Sequence, residues 1–175
     1  MKLDCKNIVS LLKISKFLLK ESLLRKIFGY LKRTIEINVL TAPMCYQFAR
    51  TFNQQDFLTL AASYMQCWFT SVVDAPDFMH LEFTSLKKIL SYSELNVTSE
   101  VEVFKAAITW ISFSYTERNG YAKEMFLKIR LPLLNYHYIK NLCYKILFCK
   151  NLKLVCLDTL DEMFKNIENF YPKKE

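Results

Sequence analysis

Glycine is almost missing from this chain, with only Gly29 and Gly120 among 175 residues. Tight turns of the hairpin type need positive φ, which glycine supplies at least cost, so β-rich folds with many such turns are disfavoured. Histidine is as scarce. His80 and His137 each lie among aromatic or aliphatic neighbours, and neither has a partner spaced as a general base or metal ligand requires. The six cysteines (Cys5, Cys45, Cys67, Cys143, Cys149 and Cys156) form no CxxC pair. Their closest spacings fit no common zinc pattern, so they read as small core residues. A phosphate-cradling glycine loop and a nucleophile elbow are both absent. Glu100 and Glu102 could in principle make a carboxylate pair, but a helix N-terminus, where the dipole favours negative charge, uses them better. Asp158, Asp161 and Glu162 read as the solvated face of the last helix. Neither catalysis, nor a cofactor, nor a metal, nor a small-molecule substrate is expected.

Long apolar runs are absent as well. The uncharged apolar run from Ala106 to Tyr115 is far short of the ~20 residues that span a bilayer. With no secretory signal visible, the expectation is a soluble intracellular protein, cytoplasmic or nuclear. The sequon Asn96-Val97-Thr98 then carries no meaning.

What the chain does have is apolar bulk. Hydrophobic residues make up 52%, including 14 Phe and 10 Tyr, enough for one domain of a size that buries roughly 70% of its unfolded surface without a disulfide or metal staple. Charge is unevenly placed. Residues 1–33 hold nine Lys or Arg against Asp4 and Glu21, which is the entire net excess of +7, while the remaining 142 residues carry 15 of each sign. Such a segment suits an acidic partner, a nucleic-acid backbone or a membrane surface, and equally a solvated helix face. A transit peptide is a further reading, against which Lys dominates over Arg and no cleavage-like break follows. Aromatics do not interleave with the basic residues on the polar face of these helices and no nucleic-acid motif occurs, so that partner is not expected beyond a weak, salt-dependent attraction.

Periodicity predicts helices throughout. Asn7 to about Leu19 and Ser22 to Ile35 are amphipathic; Thr41-Ala42-Pro43 reads as cap and first turn of a helix to Phe52. Asn53 opens the next, with Phe57, Ala61, Tyr64, Met65, Trp68 and Val72 at helical spacing. Asp74 reads as a cap with Pro76 in the first turn of a short helix to Leu81, and Thr84 starts one carrying Leu86, Ile89 and Leu90. Ser99 caps a helix from Glu100, with Glu102 three residues on positioned to reach back to the cap amide. In it Val101, Phe104, Ile108, Ile111 and Tyr115 face the core, with Glu102, Lys105, Thr109 and Ser112 opposite. A turn at Glu117-Arg118-Asn119-Gly120, a helix from Tyr121 to Ile129 stopped by Pro132, and helices capped by Asn135 and Asn151 complete roughly nine, with Leu154, Leu157, Leu160, Met163 and Phe164 inward on the last. Residues 171–175 have nothing to bury. No fixed repeat or linker divides the chain.

The order of Asn96-Val97-Thr98-Ser99-Glu100-Val101-Glu102-Val103-Phe104, Trp110 and Arg130-Leu131-Pro132-Leu133-Leu134 resembles the signature of the BACK domain, the helical module between the BTB and kelch parts of kelch-like ubiquitin-ligase adaptors. Phe48-Ala49, the stretch from Asn53 to Phe69, Asp77-Phe78-Met79-His80-Leu81 and Leu86-Lys87-Lys88-Ile89-Leu90 are similar to further family positions, in register from Thr41 to Ile139. Asp4 to Ile35 is similar to the last two helices of a BTB domain. The resemblance implies an all-α bundle of antiparallel helix pairs, with residues 1–38 as the end of a truncated BTB-like domain, 39–170 as a BACK-like domain and 171–175 as a frayed tail.

Two departures stand against it. The front of the BTB fold would have to precede Met1, and no kelch propeller follows, since each blade needs about 50 residues and recurrent glycines. Thr41-Ala42-Pro43 also stands where the family often has Asn-Cys-Leu. The resemblance implies a non-enzymatic interaction module in a cullin-3 ubiquitin-ligase adaptor. Met44, Phe48, Phe52 and Phe57 are the candidate residues for the cullin groove, unless all four are ordinary core. The rival readings are a stand-alone scaffold competing with full-length BTB adaptors without binding cullin, and a basic module binding acidic surfaces. Lacking the BTB front half, the chain is expected to bind cullin-3 at least tenfold more weakly than a complete adaptor, and to self-associate or take a helper chain.

Overall fold

A computed structural model describes Ile14, residues 21–148 and residues 155–170. Among them are ten α-helices and no strand. These are α1 (Glu21–Thr34), α2 (Ala42–Thr51), α3 (Gln55–Cys67), α4 (Phe69–Val73), α5 (Phe83–Leu90), α6 (Glu100–Phe113), α7 (Tyr115–Arg118), α8 (Ala122–Phe126), α9 (Tyr136–Phe148) and α10 (Val155–Phe170). Single 3-10 turns occupy Pro76–His80, Asn119–Tyr121 and Leu131–Leu133. The expected helix from Asn7 to Leu19 and the cap at Asn151 lie outside the described residues, apart from helical Ile14.

Helix α6 packs against α7, α8, α9 and the 3-10 turns at Pro76–His80 and Asn119–Tyr121. Its cap is the expected one: Ser99 is extended and its Oγ accepts from the Val101 N–H at 3.2 Å. Glu102 does reach back, but one residue beyond the cap, accepting from the N–H and Oγ1 of Thr98 at 2.9 and 3.1 Å. Glu100, expected to serve the helix dipole, does more. Its nearly buried carboxylate accepts from the Arg130 N–H at 2.8 Å and lies 3.8 Å from Arg130 Nε, which fastens the Arg130-Leu131-Pro132 strap across the start of α6. The buried arc of α6 is also wider than one stripe. Val103, Ala106, Ala107 and Trp110 are buried beside Phe104, Ile108 and Ile111. Ser112, expected on the wet face, is buried too, and its Oγ donates to the Thr109 carbonyl at 2.8 Å, which removes the cost of burying the hydroxyl.

Several helix ends differ from expectation for local reasons. Thr41 makes no side-chain cap for α2. Asn38 takes that work, its Oδ1 accepting from Leu40 and Thr41 N–H, while Thr41 Oγ1 donates to the Glu36 carbonyl. Asn53 does not open α3 but closes α2. It holds φ 54, with its N–H on the Arg50 carbonyl and the Gln54 N–H on the Ala49 carbonyl, the Schellman pattern with asparagine in the left-handed position. Asp74 is not the cap of the turn at Pro76–His80; Ala75 precedes it in extended conformation. The expected turn at 117–120 is taken up by α7 and a 3-10 turn, and Pro132 sits inside a 3-10 turn after α8 has ended at Phe126. Asn135 caps α9 as expected, accepting from the Tyr138 N–H at 3.0 Å.

Helix α10 docks on α8 and α9, with Leu160, Met163 and Phe164 inward as expected; the side chains of Leu154 and Leu157 lie outside the described residues. Asp161, expected to be solvated, joins a polar triad instead. It accepts from Tyr136 Oη and from Lys140 Nζ at 2.8 Å each, and Lys140 Nζ also lies 2.9 Å from Tyr136 Oη. Glu162 pairs with Lys123 at 3.5 Å. Cys45 and Cys143 are core as expected, whereas Cys67 is exposed.

Candidate partner-binding surface

Helices α2 and α3 form an antiparallel hairpin, the most closely paired elements of the fold. The Schellman turn reverses the chain so abruptly that only three residues separate the helices. Met44, Phe48 and Phe52 follow at four-residue steps along α2 and its cap, which places them on one face. All three are half-buried, packed on the core yet keeping surface. Phe57 differs, since it is 2% exposed and has almost no surface to offer. Phe28 of α1 joins the two ends of the set, its ring centroid 5.9 Å from Phe52 and 6.0 Å from Phe57. Lys32 of α1 is paired with Asp56 of α3 at 3.2 Å on the surface beside them. The geometry is that of a shallow apolar strip on a rigid helix pair, suited to a helix or extended peptide.

Helix α3 also carries apolar residues on its outer side that the sequence did not single out for binding. Leu60 is 56% exposed and Trp68 52%, with half-buried Tyr64 between them and its ring 6.4 Å from that of Trp68. Tyr64 and Trp68 share the helical spacing of the core residues, but α3 stops at Cys67. There Asn96 donates its N–H to the Gln66 carbonyl and its Nδ2 to the Cys67 carbonyl, both at 2.9 Å. The break turns Phe69 inward, fully buried, and leaves Trp68 outside. The available signal was the four-residue recurrence of Leu60, Tyr64 and Trp68, a second apolar row beside that of Phe57, Ala61 and Met65.

Around α6 the polar groups serve structure. Trp110 Nε1 donates to the Leu81 carbonyl at 3.0 Å, and Arg118 lies over the Trp110 ring with its carbon 4.0 Å from the centroid. Desolvation lowers the affinity of Arg118 for its proton, against the pull of Glu117. Burial first, and the neighbouring Tyr92 hydroxyl 3.4 Å away second, push the Tyr46 phenol up. His80 and His137 are both exposed, His80 standing edge-on to Phe113 at 5.4 Å. Among the described residues no group of three or more His, Cys, Asp or Glu could hold a metal ion, and no helix is long and apolar enough to cross a membrane.

A family model described as BACK, BTB And C-terminal Kelch, matches residues 42–144, from the first residue of α2 into α9. Over 116 residues the chain is 36% identical to Kelch-like protein 8 of Mus musculus, which covers 66% of this chain and 18% of that protein. The chain thus spans less than a fifth of the length of that relative.

Proposed function

The chain belongs to the BACK family, and from that membership we propose that it acts as a non-enzymatic interaction module of a cullin-3 ubiquitin-ligase adaptor. The observation that carries this reading is the match from residue 42 to residue 144, which begins at the hairpin holding Met44, Phe48 and Phe52. In this reading residues 39–170 are the module, residues 1–38 the C-terminal helices of a BTB-like domain, and residues 171–175 a tail.

The hairpin supplies one side of the groove for the cullin N-terminal segment. Met44, Phe48 and Phe52 act as apolar anchors, since half-buried residues on a packed helix lose little entropy on binding. Phe57 holds the groove's shape from beneath, through Phe28, rather than touching the partner. The adaptor bridges two proteins and performs no chemistry itself.

The test is retention of a purified cullin-3 N-terminal domain on the immobilised chain. Retention that is lost with Phe48→Ala, while the variant melts as a folded protein, is expected. A cullin domain that passes straight through would contradict the proposal.

A further inference from the structure

A cleft of about 450 Å3 opens where the 3-10 turn ending at His80, the start of α5 and the junction of α6 with α7 meet. Its floor is the Trp110 indole covered by the Arg118 guanidinium. One wall is the stacked pair Phe83 and Tyr121, ring centroids 4.1 Å apart, of which Tyr121 is 40% exposed. Glu82 and Glu117 line the cleft and both are exposed.

The charges of the cleft do not cancel. Arg118 spends its donors on main-chain oxygens, Nη1 on Trp110 and Nη2 on Met79, each at 2.9 Å. Lys87, lying 5.4 Å from the Phe83 centroid, is paired with Glu124. Glu117 accepts from the Ser114 hydroxyl at 2.9 Å and also pulls on the Arg118 charge, without an ion-pair contact to it among the described residues, so one guanidinium stands against two carboxylates. Glu82 uses its backbone N–H on Gln47 Oε1 at 3.2 Å, and its carboxylate has no ion-pair partner among the described residues. An anionic ligand would meet both carboxylates, and an apolar one would strip water from them without replacement. A cation gains from both carboxylates against the single positive charge of Arg118, which lies on the Trp110 ring, and aromatic faces attract cations as well.

We propose that this cleft binds a Lys or Arg side chain presented by a partner polypeptide, seated against Tyr121 with Glu82 and Glu117 as counter-ions. Gln47 of α2 reaches Glu82, so the cleft adjoins the hairpin and a polypeptide lying along α2 can place one basic residue in it. The proposal does not depend on the cullin reading, because its probe is a basic peptide and its reporters are the residues of the cleft.

The experiment is a titration of the 15N-labelled full chain with the peptide Ala-Arg-Ala-Ala-Arg-Ala, followed by amide shifts, with a Gln-for-Arg peptide as control. Shifts at Glu82, Glu117 and Tyr121 with the arginine peptide alone are expected. The double variant Glu82→Gln, Glu117→Gln should bind at least tenfold more weakly, and Tyr121→Leu at least threefold, although it changes no charge, while Tyr121→Phe binds as the parent does. Thermal melts establish that each variant is folded. If Tyr121→Leu does not fold, the glutamate pair and the Tyr121→Phe control decide. Shifts confined to other surfaces, binding unaffected by the double variant, or equal binding of the glutamine peptide would overturn the proposal.

Discussion

Trp110 is the largest of the almost fully buried side chains among the described residues. It is 2% exposed, donates to the Leu81 carbonyl and carries Arg118 on its face, so one residue ties α6 to the 3-10 turn before it and to α7 after it. Trp110→Ala is expected to cost about 3–5 kcal/mol by denaturant unfolding; a loss below about 1 kcal/mol would mean that the site is not core. Ser85 is the reverse case. It is fully buried and its Oγ has no hydrogen-bond partner among the described residues, so Ser85→Ala should leave stability unchanged or raise it by up to about 1 kcal/mol, since it removes a desolvated hydroxyl. A clear fall in the melting temperature would show that the hydroxyl is satisfied. Trp110 is legible as core from its place on the capped helix, flanked by Ile108 and Ile111. Ser85 and Ser112 are not, because their burial is imposed by neighbouring elements that pattern on one helix does not report.

At the scale of elements, local chemistry was readable and distant partners were not. The Ser99 cap lies two residues from its donor, the Val101 N–H, and was plain in the sequence; Ser99→Ala should cost about 1 kcal/mol, checked by the same unfolding curves. Asn53 was placed in the wrong helix because asparagine favours both an N-cap and a left-handed C-terminal position. At φ 54 a β-branched side chain is strained, so Asn53→Val should cost about 1–2 kcal/mol while Asn53→Gly stays near neutral. The break at Trp68 was hidden because its cause, Asn96, is 29 residues away.

The Tyr136, Lys140 and Asp161 triad was equally distant in sequence. Partial burial raises the Asp161 carboxyl, but hydrogen bonds from Lys140 and Tyr136 outweigh it and leave the group below the usual carboxylate range. The Lys140 ammonium is held up chiefly by its hydrogen bond to Asp161. The Asp161 contribution to stability is therefore present above the unfolded value of about 3.9 and is lost as pH falls through the lower folded value. The Lys140 contribution is lost only above its own ordinary range, about 10.4. Asp161→Asn should flatten the acid limb of the stability curve below about pH 4 relative to the parent. An unchanged acid limb would mean that the triad does not hold α10.

At the scale of the whole molecule, the all-α class and the order of its longer elements were legible because apolar residues recur at helical period along them, while of the expected caps only Ser99 and Asn135 act as such. The family followed from three separated sequence elements, and two of them now have a shared physical reason: the Glu100 carboxylate of the capped helix is what receives the Arg130 amide of the Arg-Leu-Pro strap. The proposed groove was only partly legible. Apolar residues on α2 look alike in sequence whether half-buried or sealed, and only packing separates Phe48, which keeps surface, from Phe57, which does not.

The most direct measurement is calorimetric titration of the full chain, and of its Met44→Ala, Phe48→Ala and Leu133→Ala variants, with a cullin-3 N-terminal fragment. Leu133 is the control, an exposed apolar residue of the Arg-Leu-Pro strap rather than of the α2–α3 hairpin. Saturable binding by the parent and by Leu133→Ala is expected, weakened at least tenfold, about 1.4 kcal/mol, by either hairpin substitution. No binding by the folded parent, or equal binding by all four proteins, would contradict the assignment of the hairpin as the partner surface.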